Sequence, residues 1–182
     1  MTRLFIAVKI PEEVKENLLK ICKEVSPEPD NFRWETPSKL HLTLKFIGEV
    51  EESNVENICN ELDFIENYDA FKFTITKFGF FFRENQPKIL WAGLETHESI
   101  YNLVKELNQR LSRFSIPVEN RKFKPHLTML RIKNNPGADF IDNFNKYSFG
   151  EKYFTSKEIA LIKSRLTRAG AQYTDIKKYN LK

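Results

Sequence analysis

The chain has 182 residues, 41% hydrophobic and 30% charged, with a formal net charge of +4. That composition excludes a disordered or fibrous polymer and suits a globular chain large enough to bury a core, while so mild a charge does not by itself demand a polyanionic partner. No stretch approaches a membrane span and the first apolar run is too short for a signal peptide, so a cytoplasmic protein with no membrane partner is expected.

RLFIAVKI (3–10) is a compact apolar run and reads as a strand. Pro11 then opens a helix, with Val14, Leu18, Cys22 and Val25 as its apolar stripe and Leu19 beside them. After the loop SPEPDN (26–31), LHLTLKFI (40–47) is a strand that Gly48 ends. Residues 51–66 form a second helix, with Val55, Ile58, Cys59 and Leu62 on one face. AFKFTITKFGFFF (70–82) is one long strand or two, and its five-residue FGFFF run cannot all face inward. The order then restarts. KILWAGLE (88–95) matches RLFIAVKI 85 residues earlier, and helix 97–113 carries Ile100, Leu103, Val104, Leu107 and Leu111. FKPHLTML (123–130) is a strand, NNPGAD a turn, 138–147 a short helix, and EIALIKSRL (158–166) and AQYTDIKKY (171–179) are closing strands. Cys22 and Cys59 fall on helical apolar stripes and read as reduced thiols, not as a disulfide or zinc site.

Elements recurring in order at a near-constant offset point to a duplicated chain. The expected fold is α+β: one domain of two pseudo-symmetric lobes, about 1–84 and 85–182, free to exchange strands. Each lobe is an antiparallel-rich sheet with helices on its outer face, and a cleft lies between them.

Two of the three histidines open the same triplet, HLT at 41 and HLT at 126. Side chains alternate along a strand, so His41 and Thr43 share one face while Leu40, Leu42, Leu44 and Phe46 share the other. His126 and Thr128 likewise oppose Leu127 and Met129. Two such pairs across a cleft bring two imidazoles and two hydroxyls to one point. One neutral imidazole can take a proton from a nucleophile while a protonated one gives a proton to a leaving oxygen. Threonine hydroxyls can hold phosphate oxygens, and Lys122, Lys124 and Arg131 add anion attraction. A phosphodiester is the substrate class that uses all three features. One His-Leu-Thr alone would be an ordinary strand fragment; the repetition in matching elements carries the inference. A metal would need a third ligand, and no acid or cysteine stands at short spacing to either triplet, so neither metal nor cofactor is expected. His97 reads as a surface residue.

By alternation Lys45 joins the His41 face and is a candidate phosphate contact, weighed evenly against a solvated lysine. Trp34 leads into the first motif and can line the cleft for base stacking; Phe5 and Trp91 sit in strand runs and read as core. RKFK (121–124) can attract an RNA backbone, although such runs are usually solvated.

HLTLKFIGEV and PHLTMLR resemble the paired His-x-Thr-x motifs of the 2H phosphoesterases. Together with RLFIAV, FRWETPSKLHLTLKFIGEV, ILWAGL, FKPHLTMLR and SRLTRAGAQYTDI, the chain resembles, almost end to end, the RNA 2′,3′-cyclic phosphodiesterases, also called 2′-5′ RNA ligases (the ThpR/LigT group). The resemblance implies a bilobal fold with a central active-site cleft. It implies metal-independent hydrolysis of a terminal 2′,3′-cyclic phosphate to a 2′-phosphate, with 2′-5′ ligation as the reverse reaction. It makes His41 the proton donor, His126 the acceptor, and Thr43 and Thr128 phosphate ligands. It also makes Arg131 a phosphate ligand, whereas strict alternation turns Arg131 away from His126 unless a bulge follows Met129. The expected partner is RNA ending in a 2′,3′-cyclic phosphate, or a related nucleotide, bound by a monomer. Two rival readings remain: a non-catalytic module that holds RNA ends, and a hydrolase of 2′-5′ oligonucleotides or small cyclic nucleotides. Binding alone would favour Arg or Lys where the histidines stand.

Overall fold

In a computed structural model, which describes residues 1–168 and 170–182, the elements follow the expected order. The first series is β1 (Thr2–Lys9), α1 (Glu12–Val25), β2 (His41–Val50), α2 (Glu52–Glu61) and β3 (Phe71–Arg83). The second is β4 (Gln86–Thr96), α3 (Ser99–Leu111), β5 (His126–Arg131), α4 (Ala138–Lys146), β6 (Lys152–Ser156) and β7 (Glu158–Thr167), and β8 (Gly170–Asn180) closes the chain. The second helix is shorter than the apolar pattern suggests: α2 stops at Glu61, and Leu62–Asn67 tightens into a 3₁₀ turn that still buries Leu62 and Ile65. β6 has no counterpart in the sequence reading, because KYFTS buries only Phe154 and Ser156 and shows little pattern.

The strands form two antiparallel sheets, β2-β1-β7-β8 and β5-β4-β3-β6. The repeats therefore exchange strands. β3, from the first series, pairs with β4, while β7, from the second, pairs with β1. A division near residue 84 does not follow the sheets, because it cuts the turn that joins β3 to β4. Arg83 pairs with Gln86 across Glu84 and Asn85, whose φ values of 52° and 60° give the doubly left-handed geometry of a two-residue hairpin. That local turn commits β3 to the second sheet.

One apolar cluster joins the inner faces of both sheets to the helices, through residues such as Leu4, Ile6 and Val8 of β1, Leu18 and Cys22 of α1, Leu103 and Leu107 of α3, and Phe140 and Phe144 of α4. Each of the large apolar side chains among them contributes about 1.5–3 kcal/mol by leaving water. The other face of β1 carries Phe5 and Ala7, packed with Ala160, Ile162 and Tyr173. Burial on both faces explains why β1 reads as a continuous apolar run rather than an alternating one. Helices cover one side of the sheets, and the opposite sides line a cleft. Cys22 is buried, Cys59 half-buried, and both are free thiols. No helix among the described residues is long and apolar enough to cross a membrane.

Candidate active site

β2 and β5 are the inner edges of their sheets and run beside one another where the sheets meet. Each begins at its histidine. In both, the burial pattern alternates as expected over the first four residues: His41 and Thr43 half-open with Leu42 and Leu44 buried, His126 and Thr128 half-open with Leu127 and Met129 buried. His126 Nδ1 lies 2.7 Å from the Lys124 carbonyl, two residues upstream, and the Lys39 backbone, equally two residues upstream, favours the charged form of the His41 ring. A carbonyl only accepts, so the His126 nitrogen facing it carries the proton and Nε2 keeps its lone pair in the neutral ring. Aromatic rings pack on both: Phe5 and Tyr173 at centroid distances of 4.9 and 5.3 Å from His41, and Phe81 at 5.0 Å from His126.

Past the threonines, strict alternation fails. Ile6 pairs with Lys45 and Ala7 with Thr43, leaving Leu44 as an extra residue; Leu90 pairs with Leu130 and Trp91 with Thr128, leaving Met129 extra. Both motif strands thus bulge immediately after the threonine, and a bulge shifts every later side chain by one face. Lys45 is therefore buried on the helix side, where its ammonium donates to Asn108 Oδ1 at 2.7 Å and to the Pro117 carbonyl. It is not a cleft residue, contrary to the alternation argument. Its pKa is lowered by burial, against the pull of Glu119. Arg131 swings the other way, onto the His126 face, as the resemblance requires. Its charge bears on His41, His126 and Tyr173 together. The pairing also corrects the repeat offset: Lys9 pairs with His41 and Gly93 with His126, so β1 and β4 are related by 84 positions while β2 and β5 are related by 85.

Trp34 does not line the cleft with its ring. The indole packs against Phe32, Phe140 and Phe144, and its N–H donates to the Pro29 carbonyl at 2.9 Å. Its backbone bridges Leu130, and the next residue's N–H, from Glu35, donates to the Met129 carbonyl at 3.0 Å, which satisfies the bulge. That contact presents the Glu35 carboxylate to Arg131, with Oε1 3.4 Å from Nε. His97 is exposed and accepts the Ser99 N–H at the start of α3.

Several residues given no role from the sequence also border the site. Tyr173 joins it from β8, and burial, aided by Glu35 and opposed by Arg131, raises its pKa. Lys9 holds Asp175 through both carboxylate oxygens at 3.1 and 3.0 Å. With Lys15, Ser38 and Tyr173 they surround a pocket of about 260 Å³ beside His41. The QYTD segment that supplies Tyr173 and Asp175 lies inside a stretch carrying the resemblance, but nothing in its composition singles those residues out.

Both histidines are poised neutral in the free protein. Burial lowers the His41 pKa to about 4, reinforced by the charges of Lys9, Arg131 and Lys15 and resisted by the Lys39 backbone. His126 is lowered too, first by burial and then by Lys124 and Arg131, against its own carbonyl bond. An anion entering between these cations would offset their share of the lowering, which adds to that of burial. Among the described residues no group of three His, Cys, Asp or Glu side chains converges as a metal site would require. The arrangement brings two imidazoles, two hydroxyls and a guanidinium to the seam between two neighbouring strands.

The model of the LigT-like phosphoesterases matches the chain in two segments, residues 8–91 and 94–173. A protein of Thermotoga maritima named RNA 2′,3′-cyclic phosphodiesterase is 34% identical over 135 residues, covering 74% of this chain and 72% of its own length. A protein of the same name from Methanocaldococcus jannaschii is 32% identical over 181 residues, covering 97% and 99%. A crystal structure of a Thermus thermophilus protein superposes with a TM-score of 0.80 at 26% identity, covering 98% of this chain and 97% of that one. With its two matched segments, its paired motif strands and its two exchanged sheets, the chain belongs to the LigT-like phosphoesterase family.

Proposed function

We propose that this protein is an RNA 2′,3′-cyclic phosphodiesterase, a hydrolase that works without a metal. The observation that carries the reading is the seam itself: two His-x-Thr strands side by side, with the His126 ring held by the Lys124 carbonyl and Arg131 acting on both imidazoles. The relatives named for this activity share about a third of its sequence across most of its length.

In the reaction, His126 Nε2 takes a proton from water as the water oxygen attacks phosphorus. The bond from phosphorus to the 3′ oxygen breaks, and His41 returns a proton to that oxygen, leaving a 2′-phosphate and a free 3′ hydroxyl. Thr43 and Thr128 donate to the phosphate oxygens, and Arg131 offsets the charge that builds on them. A 5′-hydroxyl attacking in place of water, with the same two proton transfers and the same departure of the 3′ oxygen, gives a 2′-5′ linkage. The protein acts as a monomer on RNA ends in the cytoplasm, a reading supported by its free thiols and by a cleft completed within one chain.

A second assignment exchanges the two histidines. It is favoured by the electrostatics of the free protein, where three cations bear on His41 and two on His126, so that His41 is the harder ring to charge. The first assignment requires the substrate anion to reverse that order. A leaving group such as nitrophenolate, which departs without a proton, separates them. His41→Ala should lose most activity on cyclic-phosphate RNA and recover much of it, relative to wild type, on a nitrophenyl phosphodiester, while His126→Ala stays impaired on both. The reverse pattern establishes the second assignment. Equal loss of both variants on both substrates would refute acid–base catalysis by the pair.

A further inference from the structure

The pocket of about 260 Å³ beside His41 takes no part in the proton transfers described above. Its lining is built for charge. Lys9 enters it from the end of β1, opposite His41, and Lys15 from the first turn of α1, while Ser38 and Tyr173 complete the wall. The Lys15 side chain is only 10% exposed, and the carboxylate paired with it at 2.9 Å, from Glu12, is 60% exposed and can turn to water. Asp175 is the one acid of the lining, and its charge is met: Lys9 holds both of its oxygens, and Lys178 stands 3.9 Å from one of them. Two lysines against one carboxylate leave the pocket positive at the edge of the seam, and both lysines bear on the His41 ring. The other lobe is different. The place opposite His126 is taken by Gly93, where a Cβ would stand 3.0 Å from the Thr76 hydroxyl and 3.0 Å from the Trp91 ring. Lys9 therefore has no counterpart on the His126 side.

We propose that this pocket binds the phosphate on the 5′ oxygen of the terminal nucleoside, which in RNA is the last internucleotide phosphate, through Lys9, Lys15 and Ser38. This rests on the reading of the protein as a cyclic phosphodiesterase with His41 on the leaving-group side. The 3′ oxygen departs toward His41, and a single ribose separates that oxygen from the 5′ phosphate. The 5′ phosphate therefore emerges on the His41 side of the seam, where the pocket lies. Two ammonium groups and a hydroxyl supply the donors that its oxygens accept, and the ammonium bonds are charge-assisted. The pocket distinguishes a chain from a nucleoside: every RNA end fills it whatever its base, and a nucleoside 2′,3′-cyclic phosphate leaves it empty. Once it is filled, two of the three cations that oppose charge on His41 face an anion, which eases the protonation that the leaving 3′ oxygen requires.

The test measures kcat/KM on adenosine 2′,3′-cyclic phosphate, on the same nucleotide carrying a 5′ phosphate, and on the dinucleotide ApA ending in the same cyclic phosphate. In wild type the second and third should each exceed the first by about 10- to 150-fold, the range for hydrogen bonds to a charged group. In Lys15→Met both ratios should fall about tenfold or more. A ratio taken on one preparation is independent of how much of it is folded. Lys20→Met removes the same charge from the exposed side of α1, and should leave both ratios as they are. A wild-type ratio near one for either substrate, ratios unchanged in Lys15→Met, or an equal fall in Lys20→Met overturns the proposal; a gain for the mononucleotide alone would show a site for free nucleotides instead of RNA. If the wild type turns over none of the three, it is the phosphodiesterase reading that fails. Binding then decides on the pocket: adenosine 3′,5′-bisphosphate should bind more tightly than adenosine 3′-monophosphate in wild type and lose that advantage in Lys15→Met. An advantage that is absent, or that survives the substitution, overturns the proposal.

Discussion

The surroundings of His41 in the free protein resist its protonation, and this has a consequence for stability. With a folded pKa of about 4 against about 6.5 in the unfolded chain, the ring contributes no pH dependence above 6.5. As pH falls from about 6.5 toward 4, the unfolded chain takes up a proton that the folded protein refuses, so stability is lost at up to about 1.4 kcal/mol per pH unit. His126 acts in the same direction. Urea unfolding at pH 7 and pH 4.5 should therefore show a smaller acid loss in His41→Gln than in wild type; equal losses would show that the ring is not held neutral. Thr43→Val and Thr128→Val keep shape and remove a hydroxyl. Each should lower kcat by about tenfold or more with little change in KM if the donors act on charge that grows in the transition state. A pure KM effect would assign them to ground-state binding. The four motif side chains were legible from strand alternation because the strands are regular up to the threonines. Tyr173 and Glu35 were not, since they reach the site from β8 and a loop through tertiary packing.

At the scale of elements, the paired bulges decide where the side chains beyond each motif point. They send Lys45 inward and Arg131 outward, and Leu130 occupies the place in β5 that Lys45 occupies in β2. Alternation could not foresee this, because a bulge after a threonine leaves no mark in the hydrophobic pattern: Leu44-Lys45 and Met129-Leu130 differ in polarity but not in burial. Lys45 is a strut, and its ammonium ties β2 to α3 and to the loop that leads into β5. Lys45→Leu leaves the Pro117 carbonyl without this donor and should cost about 1–3 kcal/mol of stability. KM for RNA and its salt dependence should not change. A weakened salt dependence with stability intact would instead return Lys45 to the phosphate.

The whole molecule is a duplication whose halves are not independent. The recurrence of elements was visible in the sequence, as were their order and the helix-covered sheets. Which strands the lobes exchange was not, because a strand's periodicity names its buried face and says nothing about its neighbour; only the Glu84-Asn85 turn hints that β3 goes with β4. With β3 and β7 traded and one apolar cluster running through both sheets, unfolding should be a single cooperative event. Trp34 and Trp91 both report on the second sheet, so their fluorescence should change at the same urea concentration as far-UV circular dichroism, which reports on the whole chain. Separated transitions would mean that the lobes fold as units.

Product analysis tests whether two imidazoles at the seam open a cyclic phosphate without a metal. An RNA ending in a 2′,3′-cyclic phosphate is incubated with the protein in excess EDTA, and the new end is identified. Undiminished conversion to a 2′-phosphate is expected. A 3′-phosphate product, or activity lost in EDTA and restored by zinc or manganese, would contradict it.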